Sequence, residues 1–300
     1  MQQAAEIERP HRGTLFVEEA EIISHSHLEG DQHILRLQAP KCAAKALPGS
    51  FVHLQCDPML AMRRPLSLML VDSEAGWVDI LYKALGEGTR LLTQRQPGET
   101  ISMIGPIGTP FKPTPERTRP LLIGGGVGMP PMVFLADSMR QSGAKTSPLV
   151  ILGSEVPFPF NASQSKLEVA GIDADTNAAM PLLEEWGVAS RLASLQGYNG
   201  THQGYVTDLA RRWLDSLSSD ERTQVEIFSC GPHPMLEAVA AVARDYGLPC
   251  QVSLEEFMAC AVGGCAGCAV EVTTESGTAM KRVCVDGPVF DANQVFPAVG

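Results

Sequence analysis

Short strands broken by turns up to about residue 104, strands alternating with helices after residue 120, and four cysteines spaced C-x4-C-x2-C-x15-C together predict the fold class. It is β plus α/β: an N-terminal antiparallel β-barrel, then a parallel-sheet domain, then a small C-terminal module that carries the cysteines. The expected limits are 12–112, 113–256 and 257–300, with an irregular insertion at about 155–200.

The barrel rests on several short segments. His33 to Gln38 alternates apolar and polar residues, and Phe51 to Cys56 follows a Pro48-Gly49 turn. Leu66 to Val71 and Trp77 to Leu81 continue the series at roughly ten-residue spacing, as antiparallel barrels do. Pro106 to Pro120 is proline-rich and marks the boundary. Beyond it, Pro120-Leu121-Leu122-Ile123 is a buried-strand candidate, and a helix is expected from about Pro131 to Gln141. Pro148 to Gly153 is a second such strand, and Val225 to Phe228 is a third that leads into a helix around Met235 to Tyr246. This alternation predicts a parallel sheet with ligands at the carboxyl ends of its strands. Glu155 to Gly187, with Pro157-Phe158-Pro159-Phe160 and Asp173-Ala174-Asp175, is less regular and reads as the insertion. There are no internal repeats.

Composition narrows the function. With 300 residues, 44 % of them hydrophobic and 19 % charged, the chain builds real cores and is not a disordered protein. A net charge of −11 argues against a broad basic face for nucleic acid. No run approaches the roughly 18 apolar residues of a membrane span. Met1 to Pro10 holds Glu6, Glu8 and Arg9 without an apolar run, so no secretory signal is visible and a cytoplasmic protein is expected.

Of eight cysteines, Cys42, Cys56, Cys230 and Cys250 are scattered, whereas Cys260, Cys265, Cys268 and Cys284 form the spaced set. In a reducing compartment such a set binds metal or does redox chemistry. C-x4-C-x2-C followed by a distant cysteine is the plant-type arrangement for a 2Fe–2S cluster. The residues between, Ala261-Val262-Gly263-Gly264 and Ala266-Gly267, are small enough for the loop to wrap closely and aim amide N–H groups at sulfur. The competing metal is structural zinc in a nucleotide-binding or interaction module. Four-cysteine zinc modules, however, usually present two C-x2-C-like pairs, and zinc is colourless.

Two further constellations face cofactors. Arg63-Arg64-Pro65-Leu66-Ser67 opens a strand in the barrel half. Arg64 and Ser67 differ in parity, and a bend at Pro65 lets Arg64 reach a phosphate while Ser67 meets a flavin. Leu81-Tyr82-Lys83 is followed by Gly86-Glu87-Gly88-Thr89, where Gly88 and Thr89 offer N–H groups to a pyrophosphate at a helix start. The bland alternatives are a surface charge for Arg64 and an ordinary strand aromatic for Tyr82. In the second half, Gly124-Gly125-Gly126-Val127-Gly128 joins strand to helix without satisfying G-x-G-x-x-G, yet permits close approach to a diphosphate. Ser229-Cys230-Gly231-Pro232 is another strand-to-helix turn, and two such turns define a cleft. Cys230 is either a catalytic candidate beside nicotinamide and flavin or a buried strand-end cysteine. Glu155 follows the second strand, where it is either an ordinary loop acid or a carboxylate that repels a 2′-phosphate and so favours NAD over NADP. The seven histidines are dispersed, and no Ser/His/Asp or paired-carboxylate set demands a catalytic role.

With these segments in order, the chain resembles the ferredoxin–NADP reductase superfamily and, within it, the electron-transfer subunits of NAD-dependent (class 1B) dihydroorotate dehydrogenase. The resemblance covers roughly residues 14–153 and 204–296; Arg64-Pro65-Leu66-Ser67 is the variant of R-x-Y-S typical of those subunits, and Val283-Cys284-Val285-Asp286-Gly287-Pro288-Val289-Phe290 matches their cysteine context. It implies that Arg64 to Ser67, Leu81 to Lys83, Gly88 and Thr89 bind FAD. Gly124, Gly125, Gly126, Gly128, Cys230, Gly231 and Pro232 flank NAD, and the four spaced cysteines hold the cluster. It further implies an FMN-containing catalytic partner in a heterotetramer, which oxidises dihydroorotate in pyrimidine biosynthesis. Electrons then pass through 2Fe–2S and FAD to NAD. The alternative with the same cofactors is an NAD(P)H-dependent reductase serving a ferredoxin, a sulfur substrate or an oxygenase.

Overall fold

The structure, a computed structural model, describes residues 14–298; Met1 to Pro10, the segment scanned for a targeting signal, lies outside them. Seven strands build the first sheet: β1 (Phe16–Leu28), β2 (Gln32–Gln38), β3 (Phe51–Leu54), β4 (Arg64–Ser67), β5 (Leu70–Asp72), β6 (Trp77–Lys83) and β7 (Thr100–Ile107). They lie in the order β4-β3-β7-β1-β2-β6-β5, each neighbouring pair antiparallel. Only Leu68 and Met69 separate the two edge strands β4 and β5, so the sheet has to curl until its edges approach. Alternating inward side chains, among them Ile22, Leu35, Leu37, Val52, Leu54 and Ile80, fill the curl. Two short helices, α1 (Pro40–Ala43) and α2 (Glu87–Leu92), add Cys42 and Leu92 to that core.

The second sheet holds β8 (Leu121–Gly125), β9 (Leu149–Gly153), β12 (Ala189–Ala193), β13 (Ile227–Cys230), β14 (Cys250–Ser253) and β17 (Val289–Asp291). Its order is β12-β9-β8-β13-β14-β17. The first five are parallel and lie third-second-first-fourth-fifth in chain order, which puts the switch point between β8 and β13. Helices α3 (Met129–Gln141), α5 (Val206–Ser216) and α7 (His233–Tyr246) cover its faces, and the short α6 (Ser219–Thr223) precedes β13. Parity divides those faces. Leu121, Ile123, Leu149, Ile151 and Ile227 pack with α5 and α7, while Leu122, Val150, Leu152 and Phe228 pack with α3. Both α3 and α7 begin two residues earlier than the periodicity implies, because prolines near their starts occupy positions whose N–H has no helical partner.

The stretch 155–200 differs from the insertion expected there. It contains a two-stranded ribbon, β10 (Ser163–Gln164) with β11 (Ala178–Ala179), then α4 (Pro181–Glu185), and then β12, the edge strand of the parallel sheet. Strand β12 reads Ala-Ser-Arg-Leu-Ala and lacks the aliphatic run of its neighbours, since an edge strand has a partner on one side only.

The cysteine-bearing tail forms a hairpin, β15 (Ala269–Thr274) with β16 (Gly277–Arg282), then β17 and α8 (Ala292–Val295). β17 runs antiparallel to β14, and Val272, Val283, Phe290 and Ala292 share a core with α5 and α7. Thr109, just past the barrel, donates its N–H to Gly287 O at 2.6 Å, so the tail touches both preceding units. Among the described residues no helix is long and apolar enough to cross a membrane.

Candidate functional site

The hairpin explains the long gap in the cysteine spacing. Cys268 leads into β15 and Cys284 follows β16, with Ala269 opposite Arg282, so the hairpin brings both to its open end. Val283 N–H donates to Cys268 O at 3.0 Å and closes that end. Cys268 and Cys284 are buried, Cys260 is half-buried and Cys265 exposed. The sulfurs associate in two pairs: Cys260 with Cys265, and Cys268 with Cys284. Burial opposes ionisation of Cys260, but the amide N–H groups of Val262, Cys265 and Gly264, with the Cys265 thiol, outweigh it and bring the pKa down to about 7. Burial pushes Cys284 up to about 12, with the neighbouring Cys268 adding to it and the Gly263 amide opposing. Such a concentration of amides requires a loop that turns back on itself. Ala261 and Ala266 stand at φ 55° and Gly263 at 78°, a backbone nest of the kind that cradles anionic sulfur. Arg282 pins the nest by donating to Gly263 O at 2.9 Å. Among the described residues no three ligating side chains close on a single-ion position. Four soft donors in two pairs fit a two-iron cluster, each iron taking two thiolates.

On the barrel, β4 pairs with β3 without a register shift, so the expected bend at Pro65 is absent. Pro65 is tolerated because β4 is an edge strand. Arg64 nevertheless meets the expected glycine turn. A Cβ on Gly88 would stand 2.8 Å from Arg64 Nε, so the guanidinium lies directly over that glycine. Arg64 also donates to Met62 O at 2.8 Å and to Arg63 O at 3.1 Å. Beside it, Thr89 Oγ1 exchanges hydrogen bonds with the backbone of Gly86 and shapes the first turn of α2. Leu66 and Ser67 are half-buried along the same strand. Arg64, Gly88 and Thr89 thus form one group of N–H donors suited to a pyrophosphate. Leu81 joins the core under α3, and Lys83 is half-buried at the strand end. Tyr82 points into the barrel, where it hydrogen-bonds His25 Nε2 at 2.9 Å and stacks on His33 at 5.1 Å. Its side chain serves the barrel core, and burial raises its pKa.

The two glycine turns sit side by side at the switch point, Gly124 being the register partner of Cys230. A Cβ on Gly128 would collide with Cys230 O, and one on Gly125 or Gly231 would collide with Met235. These glycines are required by the close packing of the two turns on each other and on Met235, whereas Gly126 faces open space. Gly126 to Gly128 form a 3-10 turn that leads into α3 and touches β6, so the glycine turn abuts the barrel. Pro232 caps α7. The Cys230 thiol is buried, and burial pushes its pKa well up, Glu255 adding and the Ser253 hydroxyl opposing. It stands as a neutral thiol near Glu255. Glu155 is exposed just beyond β9, and a few residues on Phe158 packs with Phe160 and Tyr198.

Sequence reasoning missed Glu255 and His53. His53, 1 % exposed on β3, faces the backbone of Met258 and Arg63, yet neither ring nitrogen makes a hydrogen bond of full geometry. Only its place two residues after the buried Phe51, on the same strand face, signalled it.

Comparison with known proteins matches these parts. Residues 255–296 match the iron–sulfur cluster binding domain of dihydroorotate dehydrogenase B, and residues 17–111 an oxidoreductase FAD-binding domain. The chain is 38 % identical over 256 residues to the dihydroorotate dehydrogenase B (NAD(+)), electron transfer subunit of Bacillus caldolyticus, covering 83 % of this chain and 86 % of that one. The counterpart from Geobacillus sp. (strain WCH70) is 35 % identical over 284 residues, covering 93 % and 98 %. Among solved structures, an NADH-dependent reduced ferredoxin-NADP oxidoreductase superposes with a TM-score of 0.74 at 25 % identity, over 93 % of this chain and 90 % of that one. A ferredoxin reductase in carbazole 1,9a-dioxygenase shares the fold, with a TM-score of 0.59 at 19 % identity over 78 % and 67 %.

Proposed function

The chain belongs to the family of electron transfer subunits of NAD(+)-dependent dihydroorotate dehydrogenase B, and from that premise we propose how its residues divide the work. It is a flavin-dependent oxidoreductase subunit that carries electrons to NAD from an FMN-containing catalytic partner that oxidises dihydroorotate in pyrimidine biosynthesis. When bound, the 2Fe–2S cluster supplies single electrons and FAD converts them into the pair that nicotinamide takes as hydride. Cys260 and Cys265 hold one side of the cluster and Cys268 and Cys284 the other, with the Val262, Gly264 and Cys265 amides offsetting its negative charge. Arg64, Gly88 and Thr89 hold the FAD pyrophosphate, and the strand Arg64–Ser67 with the end of β6 lines the flavin. Gly124 to Gly128 and Cys230 to Pro232 carry NAD, with Cys230 giving a neutral thiol rather than a nucleophile. Glu155 favours NAD over NADP by repelling a 2′-phosphate. Free thiols in this number suit the reducing cytoplasm.

The observation that carries this reading is the paired cysteine nest, which shares a core with Phe51 and Ile107 of the barrel and whose lead-in residue Met258 meets His53 beside Arg63 and Arg64. The test is anaerobic purification from native cells, with flavin, iron and sulfide quantified in whatever co-elutes. FAD, FMN, cluster iron and a second polypeptide are expected, together with bleaching of flavin and cluster by NADH. Persistence of both colours under excess NADH overturns the redox assignment. A second reading, electron delivery from NAD(P)H to a ferredoxin, is favoured by the 0.74 superposition and predicts FAD without FMN.

A further inference from the structure

β3 sends its side chains two ways. Val52 and Leu54 enter the barrel, whereas Phe51 and His53 face outward, where Phe51 packs in the core that holds Leu254 and Met258. His53 is therefore buried at the joint between the barrel and the segment leading into the cysteine nest. Its ring lies close to two backbone carbonyls, those of Met258 and Arg63. Met258 is two residues before Cys260. Arg63 O also receives the Arg64 guanidinium at 3.1 Å, the group laid over Gly88. Arg63 itself holds β3 and β7, donating to His53 O at 3.3 Å and to Ser102 O at 2.7 Å. One imidazole thus stands between the residue flanking the pyrophosphate group and the residue leading to the first cluster ligand.

Burial of this ring is costly. A polar ring without full hydrogen bonds in a buried place is destabilising, a cost that an aliphatic side chain of similar size would avoid. Burial, with Arg63 and Arg64 nearby, holds its pKa down to about 4, so the ring is neutral and carries one N–H for the two carbonyls.

We propose that His53 is a positioning residue that sets where the cysteine nest stands against the Arg63–Ser67 segment, and thereby the rate at which electrons cross between cluster and flavin. This rests on the cofactor assignment above.

The test uses the full-length, cofactor-loaded protein with His53→Ala and His53→Gln. Amide hydrogen exchange over residues 255–262 and rapid-mixing reduction of the cluster by NADH are measured beside NADH-to-dye turnover. His53→Ala raises exchange and slows cluster reduction by about tenfold each, the effect expected from removing a buried ring and its polar approach to the two carbonyls. Dye turnover stays within about twofold, and His53→Gln, whose amide N–H still reaches a carbonyl, recovers most of both losses. Exchange and cluster reduction within about twofold of the parent overturn the proposal, as does equal damage from both variants, which reduces His53 to packing. If His53→Ala fails to fold or load, His53→Leu takes its place: parent-like behaviour overturns, and Ala-like losses rescued by Gln support. A parent protein that holds neither flavin nor cluster sinks the functional reading instead, while the exchange comparison still decides His53.

Discussion

A methyl group added at Gly88 would stand 2.8 Å from the Nε atom of Arg64 and push the guanidinium off its seat. Gly88→Ala is therefore expected to weaken FAD retention by about tenfold, the worth of one charge-assisted hydrogen bond, with the fold intact; equilibrium dialysis of released flavin checks it. At the cysteines the expected loss is of iron. Cys260→Ser removes the sulfur on which three amides converge, so iron and sulfide per chain fall while NADH-to-dye turnover persists. Retention of full iron would count against the assignment. These cysteines were legible because their chemistry restricts residue type and spacing together. His53 was not, because what gives it meaning is the backbone of Met258, far away in sequence and brought near only by tertiary packing. Tyr82 sits between these cases: its strand was clear from sequence, but its inward direction depends on His25 and His33 across two other strands.

Elements obey the same division. Aliphatic strands such as β8 and β9 announced themselves, and so did the helices that follow glycine turns. β12 did not, because its central Ser190 and Arg191 satisfy local polar needs: Ser190 Oγ accepts from Met180 N–H at 3.1 Å, and Arg191 donates to Leu167 O at 2.6 Å. The ribbon ahead of β12 is tied in a similar way. Glu184 accepts from Ser165 Oγ at 2.8 Å and from Lys166 N–H at 2.7 Å. Glu184→Ala is expected to raise amide exchange over residues 163–179 while leaving β8 and β13 protected; uniform exchange across both would show that the ribbon is held by packing alone. Trp213 on α5 is a contrasting case, being buried against the central sheet. Trp213→Ala should lower unfolding free energy by about 3–5 kcal/mol in a denaturant titration, irrespective of cluster content.

Across the whole molecule, the buried histidine at the joint leaves a mark on acid stability. His53 takes up a proton near pH 6.5 in the unfolded chain but only near pH 4 in the fold. Between those values the unfolded state binds more protons, so stability rises with pH through this window and is lost as pH falls through it. Comparing parent with His53→Gln isolates the histidine: the melting-temperature gap between them should narrow from about pH 7 to about pH 5. A constant gap would mean that the ring is not buried neutral.

The strand β17 has a consequence of a different kind. By lying along β14 it covers what would otherwise be an open row of N–H and C=O groups at the end of the parallel sheet. A chain cut before Val289 would bare that row and invite self-association, visible as light scattering even with the barrel intact. The redox appendage is thus woven into its neighbour and is no interchangeable cassette: grafting the reductase half elsewhere without it would trade an electron path for an aggregating edge.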